Sequence, residues 1–150
     1  MGRILCIDYG ERHTGVAVSD PTRTIAQALP TIHHSNESEL LEALKRLLVE
    51  QEVDEVIIGL PVSQSEKPSR RSEQVRSFVG QLKKATSLPV TTFDERFSTA
   101  RAIEVLEETR GGRDLAPGRR AATGREKKRR EAVDRIAATI ILEDYLASRR

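Results

Sequence analysis

RILCIDYGERHTGVAVSD, residues 3–20, contains two apolar runs joined by a short polar link. Residues 3–10 predict a strand that ends at Gly10, and residues 15–20 predict a second strand that is bounded by Pro21. Because the link GERHT is so short, we expect the two strands to form an antiparallel hairpin. This hairpin is the starting point of the predicted fold.

Strands and helices alternate along the rest of the chain. Apolar patterning predicts a third strand in 24–34, where Pro30 indicates an edge or a bend, and further strands at 54–61 and 88–93. It predicts helices at 35–52, 72–86, 98–110 and 130–148, with a polar loop at 62–72. Strands that alternate with helices favour parallel crossovers. We therefore expect one α/β domain over residues 1–150, with a mixed central sheet, an N-terminal antiparallel hairpin and helices on both faces.

Composition narrows the class of protein. The chain has 150 residues, of which 37% are hydrophobic and 32% charged, and no apolar run approaches the ~20 residues of a membrane span. Its first residues do not have the layout of a signal peptide, so we expect a cytoplasmic protein without membrane contact. The single cysteine, Cys6, lies in an apolar run and is interpreted as a core residue, not a nucleophile or part of a zinc cluster.

Positive charge is concentrated in residues 110–130. This segment contains nine Lys or Arg and two Asp or Glu, which gives +7, whereas the rest of the chain carries −5. Its glycines and Pro117 predict a mobile basic loop. Charge alone leaves two interpretations open, a polyanion-binding element or a solvated loop.

Carboxylates follow two of the predicted strands. Asp8 ends the first strand, and Asp94 and Glu95 follow the strand at 88–93, at the edge where open α/β sheets bind ligands. Strand alternation lets only one of Asp94 and Glu95 face such a site, and the other is then a structural neighbour. A third acid, Asp134, lies about 90° from the middle of the apolar stripe of the last helix, if that stripe is Val133, Ile136, Ala137, Ile140 and Ile141.

Each carboxylate also has an ordinary structural interpretation. Asp8 could be a turn residue, Arg96 could pair with Asp94 or Glu95, and Arg130 could pair with Asp134. Clustered carboxylates are costly without a cation, however, and oxygen ligands without His or Cys favour Mg²⁺ or Mn²⁺. Two such ions about 4 Å apart can support phosphodiester cleavage. From the residues alone, a metal-dependent nuclease is the leading hypothesis.

Five segments together resemble the YqgF/RuvX family. They are IDYGERHTGVAVSD, GLP, VRSF, DERFST and VDRIAATIILEDYL, and the resemblance extends from about Ile4 to Leu146. Members are described as pre-16S rRNA nucleases and as Holliday-junction-resolvase-like proteins. The resemblance implies an RNase H-like fold, a metal site formed by Asp8, Glu95 and Asp134, and a role in maturing the 5′ end of 16S rRNA.

The chain departs from the family pattern at positively charged positions. Arg12 and His13 stand where the family usually has a Lys-Arg pair, and the loop after GLP lacks the usual Met-Asp-Gly and contains Arg70 and Arg71. We expect the backbone phosphates to be bound by basic residues along the chain, namely Arg12, Arg70, Arg71, Arg96, Arg119, Arg120, Arg125, Lys127 and Lys128. Three further residues are expected to support the site or to be structural, namely Asp94, His13 and Ser98. Ser98 is also expected to start a helix.

Several functional alternatives remain at this point. The expected partner is precursor rRNA, and branched DNA is the second choice; a junction resolvase would act as a homodimer because it cuts two strands symmetrically. A non-catalytic rRNA-binding assembly factor would use the basic loop alone. Sugar kinases and actin-like ATPases also begin with a D-x-G hairpin, but they need a second similar domain, for which 150 residues leave no room.

Overall fold

The computed structural model describes residues 2–60, 70–94 and 123–149, without the side chains of 123–131 and 134. Glu95, Arg96, Ser98, Arg119, Arg120 and the helix predicted at 98–110 lie outside the described residues. The described elements are, in chain order, β1 Arg3–Asp8, β2 His13–Ser19, β3 Ala26–Ala28, β4 Ile32–His33, α1 Glu37–Glu50, β5 Val53–Leu60, α2 Arg70–Ala85, β6 Val90–Asp94 and α3 Thr123–Ser148. None of the helices in these ranges is long and apolar enough to cross a membrane.

The strands form a mixed sheet in the order β3-β2-β1-β5-β6, and β4 also pairs with β2. β1 and β2 are antiparallel, whereas β1–β5 and β5–β6 are parallel. The predicted hairpin and parallel crossovers are therefore confirmed. In this order β1 is the central strand, with antiparallel strands on one side and parallel strands on the other.

The third predicted strand is divided in the structure. Residues 26–28 pair with β2 as an edge strand, and residues 32–33 pair with the start of β2. Pro30 lies between them and has no N–H to contribute to a ladder. One continuous strand over 24–34 was therefore the wrong prediction, and the bend at Pro30 was the right one.

Side chains of β1 alternate between two separate cores. Leu5 and Ile7 belong to a buried cluster formed with the leucines of α1 and with α2 residues such as Phe78. Ile4 and Cys6 belong to a second cluster, formed with α3 residues that include Ala138, Ile141 and Leu142. Cys6 is fully buried, so its interpretation as a core residue is confirmed. Helices therefore cover both faces of the sheet at β1.

Two helices begin earlier than the sequence predicted. Arg70 and Arg71 lie in the first turn of α2, not in a loop, and α3 begins at Thr123, so Arg125, Lys127 and Lys128 are helical. Arg, Lys and Glu are good helix formers, and a solvated turn needs no apolar periodicity. The pattern of apolar residues could not locate these starts. Residues 123–130 of the segment expected to be a mobile loop are therefore helical, and residues 110–122 lie outside the described part of the chain.

The predicted apolar stripe of α3 was also shifted. Ala137 and Ile140 form a small separate cluster, whereas the sheet-facing cluster contains Ala138, Ile141, Leu142, Tyr145 and Leu146. The segment is apolar around most of its circumference, so periodicity does not single out one face. Position 134 lies one helical turn before Ala138. It therefore continues the sheet-facing row toward the start of the helix and does not lie 90° from it.

Leu142 tests how far α3 depends on its packing against the sheet. Leu142 is fully buried, so Leu142→Ala should lower the free energy of unfolding by about 2–5 kcal/mol through lost burial and a residual cavity. Glu143→Ala, at an exposed position of the same helix, should change it by less than about 0.5 kcal/mol. Urea denaturation of both variants measures this, and equal effects would contradict the packing described.

Candidate functional site

Asp8 is the last residue of β1 and lies beside a cavity. It is 7% exposed, and by alternation it shares the α3-side face with Ile4 and Cys6. The cavity has a volume of about 300 Å³ and is lined by Asp8, residues 9–13 and Arg71. A nearly buried carboxylate at the carboxyl end of a central strand is therefore open to a small ligand.

Glycines flank Asp8 on both neighbouring strands. Gly15 is the paired residue on β2, and on β5 Gly59 follows Ile58, the partner of Ile7. Neither glycine has a side chain to occupy the sheet surface next to the carboxylate.

Arg71 forms a long ion pair with Asp8. Its Nη2 lies 3.8 Å from Asp8 Oδ1, and its side chain is 57% exposed. At this distance and exposure the pair contributes little to stability, and the guanidinium can move to another anion. Arg71 therefore balances the charge of Asp8 without locking the carboxylate.

One face of α2 supports the loop that follows Asp8. Tyr9 stacks on Phe78 with ring centroids 4.6 Å apart, and Gln74 Nε2 donates to Glu11 Oε1 at 2.8 Å. Residues 71, 74 and 78 lie on one side of α2, so their contacts with Asp8, Glu11 and Tyr9 all come from the same face of the helix. Burial, and then the charges of Glu37 and Glu11, raise the pKa of Tyr9.

The other side of the loop is held by Thr14 and His34, both buried. Thr14 Oγ1 lies 3.4 Å from both the N and the O of Gly10, and 2.9 Å from His34 Nε2. The backbone N–H of His34 donates to the Arg12 carbonyl at 3.0 Å.

Gly10 is required at its position in this loop, because a Cβ there would lie 2.1 Å from the His13 carbonyl oxygen.

His13 and His33 meet at the rim of the same loop. Their Nδ1 atoms are 2.9 Å apart, the rings lie edge to face, and the two residues pair across β2 and β4. His13 also lines the cavity. The expectation that His13 supports the site agrees with this placement, and its role stays a prediction.

Asp94 ends β6 on the face opposite to Asp8. Val90 belongs to the core cluster of α1 and α2, whereas Phe93 packs with α3 and meets Tyr145 edge to face at 5.4 Å. Alternation assigns Asp94, four residues after Val90, to the α1–α2 side. Asp94 is exposed there, and its role as a neighbour of the site stays a prediction.

Only part of the predicted metal site is described. Asp8 is described in full, Asp134 only by its backbone in α3, and Glu95 not at all. Within the described ranges, no group of three His, Cys, Asp or Glu side chains could hold a metal ion. Among the predicted phosphate contacts, Arg12 and Arg71 line the cavity with Asp8.

Sequence reasoning missed the roles of Thr14, His33 and His34, and the Asp8–Arg71 contact. Each depends on pairing between residues 20 or more apart, such as His13 with His33 across β2 and β4. The one available signal was that all three histidines lie near the hairpin or the bend at Pro30. Periodicity alone does not reveal such pairing.

The fold and the acidic strand end define an α/β protein of the RNase H-like class. The solved structure "T. thermophilus RuvC in complex with Holliday junction substrate" matches with a TM-score of 0.58 at 16% identity, over 99% of this chain and 96% of that one. The fowlpox virus resolvase with Holliday junction DNA matches with a TM-score of 0.53 at 15% identity, over 97% of both chains. These identities establish similarity of fold alone.

Sequence comparison is more specific. The family model RuvX, described as Holliday junction resolvase, matches residues 2–148, so the chain belongs to the RuvX family. A relative from Koribacter versatilis is 38% identical over 99% of this chain and 88% of its own length. One from Thermoanaerobacter pseudethanolicus is 37% identical over 99% and 98%. Both are named "Putative pre-16S rRNA nuclease".

Gly10→Ala tests the tight loop after Asp8. The added Cβ would meet the His13 carbonyl oxygen, so the loop must shift, and we expect a loss of about 1–3 kcal/mol in the free energy of unfolding. Gly80→Ala is the control, since Gly80 lies on α2 with nothing within 4 Å of its added Cβ, and it should stabilise by about 0.5–1 kcal/mol. Denaturant unfolding that showed the two variants to be alike would contradict this geometry.

The buried His34 predicts a specific dependence of stability on pH. Its burial, and then the nearby charge of His13, lower the pKa of His34 below its usual value of about 6.5. Between that value and the lower folded-state pKa, the unfolded chain binds the proton more readily, so stability falls as the pH falls through this window. Relative to wild type, His34→Gln should flatten the slope of unfolding free energy as the pH falls below about 6.5.

His33→Gln is the matched control for this measurement, because His33 is exposed and adjoins His34 in the chain. It should leave the pH slope assigned to His34 in place. An unchanged slope in His34→Gln would show that His34 is not held neutral by its burial.

Proposed function

We propose that this protein is a divalent-metal-dependent nuclease that acts on precursor 16S rRNA at its 5′ end. The observation that carries the proposal is Asp8, which is nearly buried at the end of the central strand and opens onto a cavity that Arg12 and Arg71 also line. Membership of the RuvX family, with relatives named as pre-16S rRNA nucleases, supports the same reaction and substrate. Cytoplasmic action agrees with this substrate.

Glu95 is proposed as the second acid of the site. It directly follows Asp94, and if the alternation of β6 continued by one residue, Glu95 would share the face of Phe93, which is also the face of Asp8. Gly59 lies between the two strand ends and has no side chain to separate them. The same alternation excludes Asp94 from this face.

Asp134 is proposed as the third acid. Near the other end of α3, Tyr145 donates its hydroxyl to Glu55 Oε2 at 2.6 Å, and Glu55 is the β5 partner of Ile4. Position 134 lies eleven residues before Tyr145, about 16 Å along a helix, and Asp8 lies about 13 Å from Ile4 along a strand. A helix running back along β1 would bring Asp134 to the level of Asp8.

Three carboxylates of this kind fit hard cations. Asp8, Glu95 and Asp134 would hold Mg²⁺ or Mn²⁺, with two ions as the proposed number. The ions, when bound, supply positive charge at the scissile phosphate and acidify the attacking water. Arg71 can leave the Asp8 carboxylate because its contact is long and its side chain is exposed.

Basic residues around the cavity are proposed to bind the nucleic-acid backbone. Arg12 and Arg71 line the cavity, and Arg70 lies beside Arg71 in the first turn of α2. Phosphate contacts by arginine strengthen binding without reading sequence. The same role is proposed for the remaining basic residues, namely Arg96, Arg119, Arg120, Arg125, Lys127 and Lys128.

A junction resolvase is the second candidate function. The family description and the fold similarity to two Holliday junction resolvases favour it. Symmetric cutting of two strands requires two active sites, so this function predicts a homodimer. Light scattering, together with cleavage of matched precursor rRNA, single-stranded DNA and four-way DNA substrates, separates the two functions. A dimer that cuts only the junction would favour the resolvase, and a protein that cuts only the precursor RNA would favour the rRNA nuclease.

Substitution of the proposed acids tests the site. Asp8→Asn, Glu95→Gln and Asp134→Asn should each reduce cleavage of precursor 16S rRNA in Mg²⁺ or Mn²⁺ by more than about 100-fold. The reason is that each removes a negative metal ligand and several kcal/mol of transition-state stabilisation. Initial rates with the purified protein measure this effect.

Asp94→Asn is the matched control, because it changes the neighbouring carboxylate on the opposite face of β6. It should keep cleavage within about threefold of wild type. Full activity of Asp8→Asn would contradict the metal site. Wild-type protein that binds the RNA in a salt-sensitive way without any metal-dependent cleavage would favour a non-catalytic assembly factor.

A further inference from the structure

The loop between β1 and β2 contains Arg12, which lines the cavity, and the loop is contacted from two sides. On one side α2 contacts Tyr9 and Glu11, at the beginning of the loop. On the other side the end of the loop contacts β4 and His34, the residue after β4. The backbone N–H of His34 donates to the Arg12 carbonyl at 3.0 Å, so it fixes the path of the loop near Arg12.

Thr14 connects the same histidine to the start of the loop. Its hydroxyl can donate one hydrogen bond and accept two, and it lies 2.9 Å from His34 Nε2 and 3.4 Å from the backbone N and O of Gly10. Thr14 is fully buried and His34 is 6% exposed. The buried side-chain pair therefore links Gly10 to His34, and the backbone amide of His34 in turn binds the Arg12 carbonyl.

This polar pair is buried beside an apolar core. Thr14 and His34 are both buried, and buried polar groups without partners cost free energy, so the contact between their side chains matters for stability. Thr14 shares its sheet face with Val16 and Val18, which are apolar members of the α1–α2 core. An apolar residue in place of Thr14 could pack in this core, but it would not make the hydrogen bonds to Gly10 and His34.

We propose that Thr14 and His34 form a brace that positions Arg12 to bind a phosphate of the nucleic-acid backbone. This inference rests on the proposed nuclease function. Asp8 is held independently, by its pairing with Gly15 in the β1–β2 ladder, so loss of the brace leaves the strand end in place. Thr14 and His34 are positioning residues, and their effect on the substrate passes through Arg12.

The brace predicts a particular kinetic signature. A phosphate contact made equally in the bound substrate and in the transition state affects KM and leaves kcat unchanged. Thr14→Val removes the hydroxyl and keeps the shape, so it should raise KM for a precursor-RNA fragment spanning the 5′ end of 16S rRNA by about tenfold. That is the loss expected for one charge-assisted hydrogen bond. A purely structural role would instead reduce the active fraction and hence kcat.

Conservative variants supply the controls. Thr14→Ser keeps the hydroxyl, and His34→Gln can place a polar nitrogen near the position of Nε2, so both should retain a KM within about threefold of wild type. His34→Leu should behave like Thr14→Val. Hydrogen exchange of the Gly10 amide should become faster in Thr14→Val and not in Thr14→Ser, which reports the brace without any activity measurement.

A double-mutant cycle decides whether the effect passes through Arg12. Arg12→Gln alone should raise KM about tenfold, and Thr14→Val added to it should raise KM no further, because the contact is already lost. Independent, multiplying effects of the two substitutions would overturn the proposal, as would a Thr14→Val variant with unchanged KM.

The proposal and the nuclease function fail in distinguishable ways. The dissociation constant for the same RNA fragment, measured by fluorescence anisotropy in EDTA, should follow the KM values through the whole variant series. If wild-type protein binds this RNA without cleaving it, the nuclease function fails, and the binding constants still test the brace. If wild-type protein cleaves and Thr14→Val binds normally, the brace alone is wrong.

Discussion

Alternation of side chains along β1 is the constraint on which the rest of the structure depends. Leu5 and Ile7 enter one core, Ile4 and Cys6 enter the other, and the next residue of the second series is Asp8. Because β1 is central and buried on both faces, a shift of one residue in its register would exchange the two cores. The packing that stabilises the sheet therefore also fixes the face on which the carboxylate lies.

Much of this arrangement could be predicted from the sequence. The strands of the hairpin, the parallel crossovers and the position of Asp8 at a strand end follow from apolar runs and the short link between β1 and β2. Alternation along β6 also resolves a question that the sequence left open, because Phe93 packs with α3 and Asp94 therefore faces the other core. That outcome favours Glu95 as the acid on the side of Asp8.

Other features depend on contacts that a pattern cannot contain. The sequences at the starts of α2 and α3 are rich in charged residues, so no apolar periodicity marks them. The sheet-facing row of α3 is hidden because the segment around residues 137–142 is apolar on most sides. The contact of Arg71 with Asp8 and the pairing of Thr14 with His34 join residues that are distant in the chain. The first contact lies at the cavity and the second supports the loop that lines it, so the surroundings of Asp8 were less predictable than its position.

The central claim is that Asp8, Glu95 and Asp134 meet at one edge of the sheet to bind divalent metal. A crystal of the protein soaked in MnCl₂ tests it most directly, through the anomalous difference map of manganese. The account predicts at least one manganese peak about 2.0–2.6 Å from carboxylate oxygens of these three residues, with Arg71 displaced from Asp8. Manganese bound elsewhere, with the Asp8–Arg71 contact intact, would contradict it.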